Sequence, residues 1–144
     1  MTTEAENKEL VYRLNDVWQG DLDVIDEVVA DDYENHNPIV PDSPPGPDGF
    51  KQNVAALWAA FPDIDWTIED VIADADRVAF RAVGRGTHEG PLLGIEATGR
   101  ETTLEGIVIF RITDGQVAER WAQFDTFGML RQLGAIDPDE LADA

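Results

Sequence analysis

The chain has 144 residues, of which 43% are hydrophobic, so it is long enough for one domain with a substantial core. Thirty acidic residues against 10 basic ones give a formal net charge of −20, which argues against partners such as nucleic acids or anionic membranes. No apolar run is as long as the about 20 residues needed to cross a bilayer. The acidic N-terminus does not resemble a signal peptide, so we expect a cytoplasmic protein. Cysteine is absent, which excludes disulfides, thiolate nucleophiles and zinc–thiolate sites.

The excess of acid has two explanations. The surface could simply be acidic and solvated, or the protein could be adapted to high salt, where screening weakens the repulsion between carboxylates. Lys8 and Lys51 are the only lysines, and the carboxylates are spread along the chain. This distribution favours adaptation to high salt.

The N-terminal half has the hydrophobic spacing of helices. Thr3 and Glu6 form a capping-box pattern, which predicts a first helix from there to about Gln19. Gly20 ends this helix, and a second, short helix follows it. A third helix contains the apolar positions of residues 50–61 and stops at the following proline.

Between the second and third helices we expect little regular structure. Residues 32–38 form a short extended piece, because Pro38 disfavours helix just before it. Residues 38–49 contain five prolines and two glycines and predict a loop, which is more plausible as a flap over a site than as a domain linker.

After Pro62 the hydrophobic period changes from 3.6 to 2, which predicts strands. The pattern gives four of them, followed by a last helix from Thr126 to Leu133. Helices first and strands afterwards indicate an α+β fold with a single domain over residues 1–144. We expect a curved antiparallel sheet packed against the N-terminal helices, a cone with an internal pocket.

The segment 106–135 organises this prediction. The run Ile107–Phe110 is typical of a strand covered on both faces, and Asp114-Gly115 is typical of a two-residue hairpin turn. Alternation then places one set of side chains on a common face of the returning strand: Val117, Glu119, Trp121, Gln123 and Asp125. That face could be a pocket wall or a solvated surface.

Short motifs spread over nearly the whole chain form a recognisable set: His36-Asn37-Pro38, Phe61-Pro62-Asp63, Asp76-Arg77-Val78, Gly86-Thr87-His88-Glu89-Gly90, Thr98-Gly99-Arg100, Asp114-Gly115, Glu119-Arg120-Trp121, Asp125 and Gln132-Leu133-Gly134. With this set the chain resembles the SnoaL-like polyketide cyclases, which have the nuclear transport factor 2-like (ketosteroid isomerase-like) cone fold. The resemblance implies an internal pocket, assembly as a homodimer and ring closure by an intramolecular aldol reaction without metal or cofactor. The family's catalytic acid/base is an aspartate at the end of the Trp-containing strand, which falls here on Asp125.

The chemistry of such a reaction gives Asp125 two possible roles. An aldol closure needs a proton removed next to a carbonyl and later returned, and one carboxylate can do both. Alternatively, Asp125 is only the N-cap of the following helix, satisfying free amides around Phe127 and Gly128.

His36 and His88 are the only histidines, and each is a second candidate catalytic residue. Either could polarise a carbonyl from the rim of the cavity, or could be a buried histidine tied to a backbone carbonyl. The two histidines and the scattered acids show no metal-ligand spacing, so we expect no metal site. Candidate ligand contacts are Glu119, Trp121 and Gln123, with Trp58 as an apolar neighbour that fits a core position equally well.

Two function hypotheses follow. The first is a cofactor-independent cyclase or isomerase acting on a small apolar carbonyl compound, and the second is a non-catalytic module that binds a small molecule or only dimerises. Epoxide hydrolysis, known for this scaffold by analogy, would need a water held between a carboxylate and other polar groups, and no such set is evident. We also predict a homodimer through an apolar outer sheet face formed by Ile107, Ile109, Ala118, Ala122 and Phe124.

Overall fold

The computed structural model describes residues 2–136 and Asp139. Its helices are α1 (Glu4–Asn15), α2 (Asp23–Val28), α3 (Gly46–Ala60) and α4 (Thr126–Gln132), with a 3-10 turn over Asp16–Gln19 after α1. Its strands are β1 (Val29–Asn35), β2 (Asp65–Asp74), β3 (Arg77–Thr87), β4 (Glu101–Thr113) and β5 (Gln116–Phe124). The α+β class is confirmed, and none of the described helices is long and apolar enough to cross a membrane.

The five strands form one open sheet in the order β1-β5-β4-β3-β2. The pairs β2–β3, β3–β4 and β4–β5 are antiparallel, but β1 runs parallel to β5. The sheet is therefore mixed, and the prediction of an entirely antiparallel sheet is wrong on this point. No hairpin fixes the direction of β1, because α3 and three strands separate it along the chain from β5.

Local sequence signals set the ends of several elements. Thr3 and Glu6 form the predicted capping box at the start of α1. Gly20 has a φ of 100°, a left-handed conformation that suits glycine after the 3-10 turn. Asp114 and Gly115 have φ angles of 52° and 77°, which confirms the predicted tight turn between β4 and β5.

Irregularities in the strand pairing change which residues share a face. Between β4 and β5 the register shifts, so that Arg111 lies opposite Glu119 but Ile112 lies opposite Val117. Val117 is fully buried against the helices, whereas Glu119 lies on the opposite face of the sheet. The prediction that these two residues share a face is wrong, because strict alternation fails across a bulge.

The sheet has an inner face, turned towards the helices, and an outer face on its other side. The inner face carries Val78, Phe80, Val108, Phe110 and Ile112 among others, all 9% exposed or less. Helix α1 packs on β2 and β3, α3 on β1 and α4 on β4. These contacts bury one face of the sheet and define the core.

The outer face differs from the predicted apolar surface. Ile107 is 56% exposed, so β4 is not covered on both faces in this chain. Ala122 and Phe124 point to the inner side, where Ala122 is buried and Phe124 borders a cavity. Ala118 is buried at the bulge, so only Ile107 and Ile109 of the five predicted contact residues offer outer apolar surface.

Candidate functional site

A cavity of 180 Å³ lies between the inner face of the sheet and the helices, far more than the roughly 10–15 Å³ that one water needs. Its walls are mostly apolar. The sheet contributes Trp66, Ile68, Phe80, Val108, Phe110 and Phe124. The helical side contributes Val11, Leu14, Trp18, Phe50, Leu57 and Met129. An apolar cavity of this kind is suited to an aromatic or otherwise hydrophobic ligand.

Six residues of the cavity wall carry polar side-chain atoms able to orient a ligand: Asn15, Asn37, Arg120, Thr126 and the indole nitrogens of Trp18 and Trp66. The Trp66 Nε1 donor is buried and has no partner among the described residues. None of the described residues that line the cavity is a carboxylate or a histidine. The chemistry of the wall itself is thus limited to hydrogen bonding and one positive charge.

Each of the two asparagines uses one of its two side-chain amide groups, the NH2 or the oxygen, in a hydrogen bond to the backbone. Asn15 Nδ2 donates to the Trp66 carbonyl at 3.1 Å. Asn37 Oδ1 accepts from the Ala122 amide at 2.8 Å and so extends the pairing of β1 with β5 beyond Asn35. The remaining group of each amide, an acceptor on Asn15 and a donor on Asn37, has no partner among the described residues.

Arg120 lies on the inner face of β5, opposite Phe110 of β4. Its Nη1 donates to Asn35 Oδ1 at 3.3 Å, and its guanidinium lies 5.9 Å from the centre of the Phe124 ring. Burial lowers the pKa of the guanidinium. Arg120 is the charged group of the cavity wall as far as the structure describes it.

The residues predicted to line the pocket lie elsewhere. Glu119, Trp121 and Gln123 are on the outer face, because the bulge in β5 turns the alternate set, Arg120 and Ala122, inwards. Trp58 packs edge-on against Trp18 with ring centres 5.8 Å apart, and it is absent from the cavity wall.

His36 joins the outer face at the end of β1. Its ring stacks on Trp121 at 4.8 Å with an angle of 6°, and its Nε2 lies 2.9 Å from Glu119 Oε2. Arg111 Nε donates to the other oxygen of Glu119 at 2.5 Å. Hydrogen bonds from His36 and then from Arg111 lower the pKa of the Glu119 carboxyl. The segment of His36 reaches the cavity through Asn37, while the His36 side chain is not part of the wall, so its catalytic role stays a prediction.

Tertiary structure also brings together three potential metal ligands that the sequence separates. Ligand atoms of Glu34, His36 and Glu119 all lie within 4.8 Å of one another. Glu119 already accepts from His36 and Arg111, so its charge is matched by protein groups. The cluster is a polar network of the outer face, centred on Glu119.

His88 is fully buried and does not line the cavity. Its Nδ1 accepts from the Thr98 amide at 3.2 Å and lies 3.0 Å from the Thr98 hydroxyl. The neutral ring then carries its proton on Nε2, which has no partner among the described residues. His88 therefore ties together the two ends of the 88–98 loop, as a buried histidine held by Thr98 and not by the predicted carbonyl.

Asp125 follows β5 and is the N-cap of α4. Its Oδ1 accepts from the Gly128 amide at 2.8 Å, and the residue is exposed. A Cβ at Gly128 would lie 2.2 Å from Asp125 Oδ2, so glycine is what allows this close approach. The neighbours of Asp125 on both sides, Phe124 and Thr126, line the cavity. The predicted cap is present at the cavity edge, and a role in catalysis stays a prediction.

Sequence reasoning missed the polar residues of the wall. Arg120 interrupts an otherwise apolar set on β5, with Ala122 and Phe124 after it, and a lone cation in such a set was the available signal. Asn37 was detectable as an asparagine directly before Pro38, a pair typical of the turn after a strand. Asn15, on the last turn of α1, had no distinguishing signal.

Comparisons with known proteins agree on one family. The family model described as SnoaL-like polyketide cyclase matches residues 8–133. The nogalonic acid methyl ester cyclase of Streptomyces nogalater is 32% identical over 125 residues, covering 84% of this chain and 91% of that protein. The aklanonic acid methyl ester cyclase DauD of Streptomyces sp. (strain C5) is 31% identical over 134 residues, covering 88% and 80%.

Solved structures have the same fold. TsrD from Streptomyces laurentii superposes with a TM-score of 0.86 at 28% identity, covering 94% of this chain and 100% of that one. IdmH from Streptomyces antibioticus superposes with a TM-score of 0.76 at 32% identity, covering 89% and 98%.

Proposed function

Because the chain belongs to the SnoaL-like polyketide cyclase family, we propose that it closes a ring in a small polyketide by an intramolecular aldol reaction, without a metal or cofactor. The observation that carries the proposal is the apolar cavity with its few polar groups. Two relatives are named nogalonic acid methyl ester cyclase and aklanonic acid methyl ester cyclase, and we infer a substrate of that class, a polyketide ester, for this cavity.

The reaction conserves every atom of the substrate. A base removes a proton from a carbon next to a carbonyl, and the enolate carbon attacks a second carbonyl to form the new C–C bond. The resulting alkoxide then takes up a proton, so the product is an isomer of the substrate. Donors such as the Asn37 amide and the Arg120 guanidinium would stabilise the negative oxygens of these steps.

Asp125 is the proposed acid/base. Its position between two cavity-lining residues, Phe124 and Thr126, supports this role. One carboxylate oxygen is held by Gly128, and the other has no hydrogen bond among the described residues. A carboxylate fixed in this way could exchange a proton with substrate carbon at the mouth of the cavity. His36 and His88 are not assigned a catalytic role, since neither lines the cavity.

A non-catalytic binding protein of the same fold is the second candidate. The observation in its favour is that no described residue of the cavity wall is a carboxylate or a histidine, while Asp125 is exposed and engaged as a cap. In that case the cavity would hold a polyketide or a similar apolar molecule without converting it.

The proposal is tested by incubating the protein with nogalonic acid methyl ester or aklanonic acid methyl ester. The products are then analysed by liquid chromatography and mass spectrometry. We expect a product of unchanged mass and different retention time, formed equally fast with EDTA and without added cofactor. Binding without any isomer formed would contradict the cyclase proposal and support the binding protein. A rate that EDTA abolishes would contradict the metal-free mechanism.

We also propose a homodimer through the outer face. Ile72, Ile109 and Trp121 align there across the strands, with Ile72 68% exposed. Arg77 and Arg81 of β3 and Arg111 of β4 lie on the same face, which makes it less acidic than expected for a chain of net charge −20. Two such faces could meet with less repulsion than other surfaces. A mass of one chain by light scattering in 1 M KCl would contradict the dimer.

A further inference from the structure

Arg120 is a cation without a counter-ion among the residues that the structure describes. Its guanidinium borders a cavity whose other described walls are neutral. None of the ion pairs among the described residues includes Arg120. Carboxylates are not scarce, because the chain has 30 acidic residues for 10 basic ones. What distinguishes Arg120 from other arginines without a described ion pair is its place in the wall of an apolar cavity.

The groups around Arg120 compensate its charge only in part. Asn35 offers a neutral oxygen at 3.3 Å, and the Phe124 ring lies 5.9 Å away. Burial raises the pKa of Tyr33, the phenol nearby, to about 12, so Tyr33 stays neutral and supplies no negative charge. A guanidinium remains protonated even where burial lowers its pKa. Arg120 is partly buried, and even partial removal of a cation from water without a counter-charge is costly, so an anion bound beside it would reduce that cost.

The guanidinium also has unused hydrogen-bonding capacity. A guanidinium has about five N–H donors in a planar fork, and only one of those of Arg120 has a partner among the described residues. That fork suits two oxygens of a carboxylate or of an ionised 1,3-dicarbonyl compound.

We propose that Arg120 anchors an anionic oxygen of the ligand, so that the cavity selects aromatic or polyketide-like anions over their neutral counterparts. The anion is either a carboxylate or an enolised 1,3-dicarbonyl group, which present the same pair of charged oxygens. The inference rests on the cavity being the substrate site of the proposed function, but it does not depend on turnover.

The competing explanation is structural. Arg120 could serve only to hold Asn35 and thereby keep β1 beside β5. Loss of that contact would lower stability and weaken all ligands alike. An anchor role instead changes the ratio of affinities for an anion and for its neutral analogue.

Two matched pairs of probes separate these explanations in calorimetric titrations at pH 7. The first pair is 1-hydroxy-2-naphthoate and its methyl ester, which tests a carboxylate. The second is 2-acetylindane-1,3-dione, which ionises readily, and 2,2-dimethylindane-1,3-dione, which cannot enolise between its carbonyls. We expect the anion of at least one pair to bind about 10- to 100-fold more tightly than its neutral partner, the range of a charge-assisted hydrogen bond. The pair that shows the preference identifies the kind of anion.

Substitutions at Arg120 complete the test. Arg120→Met should bring the affinity ratio close to one and change the affinity for the neutral probe by no more than about twofold. Arg120→Lys should keep part of the preference for the anion, because it keeps the positive charge but loses the planar set of N–H donors. This variant replaces Arg120→Met in the test if the methionine variant does not fold. Arg81→Met, the same change on the outer face, is the matched control and should keep the full ratio.

Three results would overturn the inference: no binding of any probe, equal affinity for both members of both pairs, or a preference that persists in Arg120→Met. Anion preference that depends on Arg120 without isomer formation would support the anchor and refute the cyclase. Isomer formation without anion preference would do the reverse.

Discussion

The two faces of the sheet differ in how their charged side chains are paired. On the outer face, Arg111 and His36 both bind Glu119, and Arg81 binds Asp70 at 3.0 Å. On the inner face, Arg120 has a neutral asparagine and an aromatic ring as partners, and no carboxylate from the described part of the chain. Charges that satisfy one another in water contribute little to stability and leave nothing for a ligand. Among the described residues of the cavity wall, Arg120 is therefore the charge that remains available to a ligand.

The tryptophans differ in the same way. Trp121 on the outer face lies between polar partners, stacked on His36 and 5.0 Å from the guanidinium carbon of Arg77. Trp66 on the inner face is 8% exposed and borders the cavity, packed so closely on Gly84 that a Cβ there would lie 2.8 Å from its ring. One indole supports a surface network, and the other shapes a binding site.

The largest expected effect is a loss of turnover on substitution of Asp125, the residue that follows β5. If it is the acid/base, Asp125→Asn should lower turnover by about 10² to 10⁴ while leaving the melting temperature nearly unchanged, since asparagine is an equally good N-cap. Turnover of a polyketide methyl ester and thermal unfolding are measured on the same variant.

Asp125→Ala is the control for the cap, because it removes both oxygens and should destabilise the protein by about 0.5–2 kcal/mol. An unchanged rate in Asp125→Asn would show that Asp125 only caps α4.

Core packing gives the next largest contrast between the faces. Ile112 and Ile107 lie on the same strand, β4, but are 3% and 56% exposed. Ile112→Ala should lower the free energy of unfolding by about 2–5 kcal/mol, the range for buried isoleucine. Ile107→Ala should change it by no more than about 0.5 kcal/mol in a monomer.

Chemical denaturation at several protein concentrations checks this pair. A large, concentration-dependent cost of Ile107→Ala would mean that the outer face is an interface, and a small cost of Ile112→Ala would contradict the assignment of the inner face.

Salt should act on the charged surface more than on the cavity. At a net charge of −20, repulsion is long-range at low ionic strength, where the screening length is roughly 30 Å at 0.01 M against 3 Å at 1 M. We therefore expect the melting temperature to rise by several degrees through the molar range of KCl. A flat profile between about 0.1 and 2 M KCl would mean that the acidity is not an adaptation to salt.

The smallest expected effect is a change with pH in how much Glu119 contributes to stability. Its carboxyl pKa is lowered in the folded protein from the ordinary value of 4.5 by His36 and Arg111. The stability that this lowering provides is complete above 4.5 and is lost as pH falls through the lower folded-state value. The difference in melting temperature between the wild type and Glu119→Gln should therefore shrink as the solution is acidified below that pH. Glu96→Gln, which removes an exposed glutamate without a partner among the described residues, controls for the lost charge; a constant difference would contradict the linkage.

Several of the motifs that identify the family prove to be structural. Asp63 accepts from the Thr87 amide at 2.7 Å and from its hydroxyl at 2.9 Å. Gly90 lies where a Cβ would be 1.9 Å from the Ala59 carbonyl oxygen, so no other residue fits without movement. These contacts fix the loop beside α3, which explains how short motifs could identify the fold without revealing the polar groups of the cavity.

The sequence by itself determined most element types, the capping box of α1, the turn at Asp114-Gly115 and the family, because each depends on local backbone chemistry or on motifs of adjacent residues. It predicted only a short extended piece where β1 lies and a loop where α3 begins at Gly46. Only the tertiary structure decided which face of β5 lines the cavity, because one bulge at Ala118 separates Val117 from Glu119 and brings Arg120 inwards. Only the tertiary structure decided, too, that β1 pairs with β5 and thereby places Asn35 and Asn37 beside that arginine. Strand register is set by packing between distant segments, and a shift of one residue exchanges the two faces.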